Sequence, residues 1–154
     1  MANRHKARQS ALEVLYAWDS GGRDDAAVPA LLADRLKEEG RGDQDAAYLR
    51  ELVHGVTAEV AELDDWIGKG VRGRSLASIA RIEHNVLRMA VWEMRNRLEI
   101  PYRVIINEAL QLAREYADEP GRGFINGVLD HLARELRGME IQARQPSAER
   151  RSSE

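Results

Sequence analysis

Catalysis needs a nucleophile, an acid–base pair or a metal held at workable spacing. The residues able to supply one are scattered in this chain. Cysteine is absent, which removes disulfides, thiolate chemistry and every zinc site that needs sulfur. The four histidines, His5, His54, His84 and His131, each stand alone, with no second histidine three to five residues away. Carboxylates are plentiful, but Asp24-Asp25 and Asp64-Asp65 are adjacent pairs and point away from one another on a helix. Gly68-Lys69-Gly70-Val71-Arg72-Gly73 spells G-x-G-x-x-G. A dinucleotide site requires a strand before those glycines and a helix opening on them, and here an acidic, helix-patterned run precedes them. The stretch reads as a connection between helices. No catalytic residue, metal site or cofactor is expected.

Cations and aromatics point elsewhere. The net charge of −3 hides a segregation: residues 24–65 hold twelve acidic and four basic side chains, whereas residues 66–107 hold three acidic and eight basic ones. Such asymmetry suits polyanion binding by part of the surface. Arg4, His5, Lys6 and Arg8 all precede the first acid, Glu13, and a basic N-terminal arm can displace counterions from RNA phosphates. Arg74, Arg81, Arg88 and Arg95 recur every seven residues, near one line of a helix. Arg88 lies beside the apolar stripe and could instead be a buried cation paired with a carboxylate such as Glu108. Phe124 is the sole phenylalanine and follows Gly121-Arg122-Gly123, a basic turn. It either plugs the core or stacks on a base of single-stranded RNA.

Positioning such groups falls to helices, because apolar residues recur with helical period and alternating strand patterns are hard to find. The first helix runs from about Arg4 to Asp19, on Ala7, Ala11, Leu15 and Trp18, and ends at Gly21-Gly22. A second carries Val28, Leu31, Leu32 and Leu36, with Pro29 in its first turn. Asp43 is expected to cap a third that breaks near Asp64, before a loop over Gly68 to Gly73. A fourth spans about Ser78 to Arg97, a fifth follows Pro101, and Asp118 to Gly123 reads as a loop before the last. Residues 1–138 form one all-α domain of six or seven helices, and 139–154 a tail without apolar anchors, expected to be disordered. No apolar stretch approaches the roughly 20 residues of a membrane span, and no secretory signal is visible, so a cytoplasmic location is expected.

Three ordered blocks resemble the NusB family of bacterial transcription antitermination factors over about Arg4 to Leu136. Arg8-Gln9-Ser10-Ala11-Leu12-Glu13-Val14-Leu15-Tyr16 is similar to its R-x-x-A-x-x-x-L-Y helix, and Ile82 to Met94 to its central V-E-x-x-x-L-R-x-A-x-x-E-L helix. Ile100 to Ala109 and Phe124-Ile125-Asn126-Gly127-Val128-Leu129-Asp130 resemble its V-P-x-x-V-x-I-N-E-A and F-V-N-G-V-L-D blocks. The resemblance implies two packed three-helix bundles and non-catalytic binding of boxA single-stranded RNA of ribosomal RNA leader transcripts. It also implies the ribosomal protein NusE as partner, with other Nus factors and RNA polymerase joined indirectly. Matching positions assign RNA contact to Arg4, His5, Lys6, Arg8, Arg122 and Phe124, and partner contact to Tyr16 and Glu83. The N-terminal arm is shorter and less arginine-dense than in many members, and the segment before Phe124 lacks the Asp-Ser-x-Lys-like residues of some. Two other readings remain at this point: a detached RNA-binding module like the N-terminal domains of ribosomal RNA cytosine methyltransferases, and a structural homodimer.

Overall fold

The computed structural model describes residues 2–144, which form seven α-helices. Helix α1 (Arg4–Ser20) starts at Asn3, whose side chain accepts from the Lys6 N–H. It buries Ala7, Ala11, Leu15 and Trp18 together with Leu12 and Val14. Helix α2 (Val28–Leu36) carries Pro29 in its first turn, where the missing N–H costs nothing. Helix α3 (Ala46–Gly70) is capped by Asp45, not Asp43, through the Tyr48 N–H at 3.0 Å. Asp43 instead pairs with Lys6, and its carbonyl accepts from the Asn3 N–H. The break expected near Asp64 is absent. The helix deviates earlier, at Glu59 (φ −109°, ψ 15°), and continues through Leu63 and Ile67, both fully buried, to Gly70.

Helix α4 (Arg81–Asn96) is nearly all buried. Helix α5 (Tyr102–Tyr116) follows Pro101, and α6 (Glu119–Leu136) follows almost directly. The expected loop at 118–123 is therefore the opening of a helix. Asp118 accepts from the Gly121 N–H at 2.8 Å, and Pro120 occupies the first turn. A capping carboxylate and an early proline initiate helices as readily as they end them. Helices α1–α3 form one bundle and α4–α6 the other, joined chiefly along α3 and α4. Residues 139–144, expected to begin a disordered tail, belong to a short helix α7 (Gly138–Arg144). Arg137 and Glu140 pair at 2.6 Å beside it, and Ile141 packs against the core. Residues 145–154 of that expectation lie outside the described residues.

Polar contacts give the register. Arg8 meets Glu93, whereas Asp19 meets Arg88 and Ser20 meets Arg81, so α1 and α4 run antiparallel. Glu51 meets Arg97 and Asp64 meets Arg88, which sets α3 antiparallel to α4 as well. Where the bundles meet, Gly55 lets the Trp92 indole lie against the α3 backbone; a Cβ there would sit 2.3 Å from the ring. Trp92 Nε1 donates to Glu59 at 3.0 Å, at the point where α3 bends.

Candidate nucleic-acid interface

The N-terminal cations sit among acids that the fold brings to them. Arg8 is 4% exposed and donates to both oxygens of Glu93, at 3.2 and 2.8 Å, while Glu93 also accepts from the Tyr48 hydroxyl. Burial works against the Arg8 charge, but the hydrogen bond and attraction of Glu93 outweigh it, and the guanidinium is held more firmly charged than in water. The same burial, with Glu93 beside it, pushes the Tyr48 hydroxyl well above its ordinary value. Arg8 is thus a structural cation joining α1 to α4, which corrects its assignment to an RNA-facing surface. The spacing that places it beside Arg4 also turns it inward on the buried stripe of α1.

His5 bridges Glu108 at 2.8 Å and Glu115 at 2.7 Å, both on α5. Lys6 reaches Asp43 at 2.7 Å. Arg4 is half-exposed, 3.6 Å from Asp45, with its guanidinium 4.3 Å from the centre of the Tyr48 ring. Arg4, His5 and Lys6 remain at the surface, but each already faces a carboxylate, so an incoming phosphate must compete for it.

The seven-residue arginine series disperses in three dimensions. Helix α4 begins only at Arg81, so Arg74 belongs to the preceding connection. Arg88 is fully buried and pairs with Asp19 and Asp64, each at 2.9 Å, rather than with Glu108. Glu108 lies at the other end of α1, with His5 and Arg8. Arg95 joins Glu59 and Glu62. Burial would raise the Asp64 carboxyl, yet hydrogen bonds from His84 and Arg88 hold it far below the usual carboxylate range.

A different surface opens near the start of α6. Phe124 is half-buried; it packs against the core and carries the Arg74 guanidinium over its ring at 4.3 Å. The core-packing reading therefore holds, and Arg74 rather than a base covers the ring. Arg122, also half-buried, lines an adjoining cleft of about 360 Å³ with Arg114 and Asn126. Neither Arg74 nor Arg122 has a carboxylate within ion-pair distance among the described residues. Arg74 was visible in the sequence only as a member of a periodic series. Its contact with Phe124 depends on the end of α3 packing on α6, which no local spacing reveals.

Of the two residues assigned to partner contact, Tyr16 is 41% exposed on α1. One turn later, Asp19 and Ser20 tie α1 to the start of α4. Glu83, in the first turn of α4, lies against Gly121, where a Cβ would come within 2.3 Å of its carboxylate oxygen. Burial first, then the Asp118 charge, raise the Glu83 carboxyl above its ordinary value, with Arg74 opposing. Among the described residues no cluster of three metal-ligating side chains occurs, and no helix is long and apolar enough to cross a membrane.

The NusB family model matches residues 5–134. The transcription antitermination protein NusB of Stenotrophomonas maltophilia is 39% identical over 137 residues, covering 89% of this chain and 84% of that protein. That of Sorangium cellulosum is 38% identical over 136 residues, covering 88% and 95%. The solution structure of NusB from Aquifex aeolicus superposes with a TM-score of 0.73 at 28% identity, covering 96% of this chain and 97% of that one. A chain from the crystal structure of the antitermination factors NusB and NusE in complex with dsRNA matches with the same score and identity, covering 85% and 96%.

Proposed function

The chain belongs to the NusB family, and we propose that it is a non-catalytic transcription antitermination factor that grips boxA RNA together with NusE. The observation that carries the RNA contact is the Arg74–Phe124 stack beside Arg122 at the start of α6. An aromatic ring and cations with no carboxylate at ion-pair distance suit a single strand, since bases stack on the ring while phosphates meet arginine. The similar chain solved with NusE and dsRNA supports RNA as the ligand and NusE as the partner. Matches taking in 84% and 95% of two antitermination proteins favour this reading over a module of a methyltransferase.

Within it, Arg122 and Phe124 make the central contact, with Arg74 as a third member. Arg4, His5 and Lys6 form an outlying basic rim whose contribution is reduced by Asp45, Glu108, Glu115 and Asp43. Arg8 positions α1 and touches no RNA. Tyr16 and Glu83 face the ribosomal partner, and the other Nus factors and RNA polymerase join through the assembled complex.

A gel-shift with boxA and scrambled RNA, with and without NusE, tests this. Retardation of boxA alone, strengthened by NusE, is expected. Phe124→Ala with Arg122→Ala should weaken it roughly 5- to 150-fold, on the order of a lost stack of about 1–3 kcal/mol. Glu83→Lys should remove the strengthening by NusE. Equal retardation of both RNAs would overturn the proposal.

A further inference from the structure

Arginines lacking a carboxylate partner are few here, and most gather in one place. Among the described residues, no ion pair involves Arg50, Arg72, Arg74, Arg103, Arg114 or Arg122, whereas the other arginines from Arg4 to Arg137 each have one. Four of those six line two clefts that share Gly123 on α6. The first cleft is an open groove of about 440 Å³ running along α6 from Gly123 and Phe124 to His131 and Arg134, with Arg72 and Arg74 on its opposite side. Its volume falls within the range of ligand sites, about 300–1,000 Å³.

The groove is built by close packing. Gly70, at the end of α3, approaches α6 so nearly that a Cβ there would meet Val128 at 3.0 Å and Leu132 at 3.1 Å. That approach fixes the wall carrying Arg72 and Arg74. The floor is bare: a Cβ at Gly123 or at Gly127 would meet nothing within 4 Å, so a ligand's backbone can lie directly on the helix. From Gly123 to Arg134 the helix rises about 16 Å at its usual pitch. One carboxylate intrudes, Asp130, held by Arg134 at 3.4 Å across one exposed turn, a pairing too weak to keep Arg134 from a phosphate.

We propose that this groove is an RNA subsite beyond the Phe124 contact. A strand leaving the Arg74–Phe124 stack runs over Gly123 and Gly127, and Arg72, Arg134 and His131 take its phosphates. The inference rests on the RNA-binding reading above and extends it to nucleotides flanking the boxA core. An amphipathic helix from a protein partner fits less well, because Phe124 and Val128 are the only large apolar side chains lining the groove and would leave its apolar face largely wet.

Fluorescence anisotropy with the NusE-bound protein tests it, using boxA core RNA and the same RNA lengthened by six nucleotides at either end. The wild type should bind one lengthened RNA more tightly than the core, with a steeper salt dependence. Each single-strand phosphate contact adds about 0.7 to the log–log slope. Arg72→Ala with Arg134→Ala should therefore flatten the slope for that RNA by about 1.4, or roughly sevenfold less salt sensitivity between 50 and 200 mM. Binding of the core should be unchanged. Gly127→Leu, which fills the floor without altering charge, should lose the same length-dependent affinity. Wild-type binding to the core with no gain from either extension would overturn the subsite alone, and so would variants that weaken NusE binding but not RNA binding. Failure of the wild type to bind the core would overturn the functional reading and the subsite with it.

Discussion

Arg8 and Arg122 carry the same charge and were assigned the same task by position in motifs, but their neighbours give them different ones. The Arg8 guanidinium is committed to Glu93 inside the protein, in a site where Tyr48 and Glu93 have no water to turn to. Removing one partner of such a pair leaves the other buried and unpaired, at a cost of about 3–5 kcal/mol. Arg8→Ala is expected to lower the unfolding free energy by that amount in urea titration. Whatever fraction stays folded should keep the RNA affinity of the parent. A variant of full stability with lost RNA binding would return Arg8 to the interface. Arg137 illustrates the same inward use of charge: it donates to the carbonyls of Met94 and Arg97 at the end of α4, where a cation is favoured, and to that of Ile100 in the following connection.

At the scale of elements, the junction of α3 with α4 has the least room. Alanine is the better helix former by about 1 kcal/mol in isolation, yet at position 55 its methyl would enter the Trp92 ring. Overpacking of this kind costs about 1–3 kcal/mol, and displacing the indole also breaks its bond to Glu59. Gly55→Ala is therefore expected to lower the melting temperature despite its higher propensity, with Trp92 fluorescence shifted toward that of a wetter ring. An unchanged or raised melting temperature would show that the junction can yield. Gly121→Ala is the contrast, since the atoms met there are the ends of the Glu83 and Asp118 carboxylates rather than a packed ring.

Across the whole molecule, charge pairs fasten helices distant in sequence. Asp19 of α1 and Asp64 of α3 both reach Arg88 of α4, and Glu13 of α1 reaches Arg41 and Tyr116. Burial opposes ionisation of all three acids, but their hydrogen bonds and ion pairs prevail, so each carboxyl is lowered in the folded state. Groups depressed on folding contribute stability above their ordinary values, about 4, and lose it as pH falls through the folded values. Glu83, being raised, contributes in the opposite sense as a single half-exposed group. The urea midpoint should therefore hold steady from pH 7 to 5 and fall markedly by pH 3; a midpoint unchanged at pH 3 would refute the role given to these pairs. Residue types and their period were enough to determine an all-helical chain, most members of its buried stripes (Val104, expected on the buried face of α5, is 42% exposed) and the blocks that mark its family, because those depend on neighbours within a turn or two. Local chemistry misled where one signal serves two ends: Asp118 and Pro120 open a helix that the same residues could have closed. Which cations lack a carboxylate at ion-pair distance was decided only by the packing of α1, α3 and α6. A partner such as Glu93 for Arg8, or Phe124 for Arg74, lies many residues away, and only the folded arrangement brings it within reach.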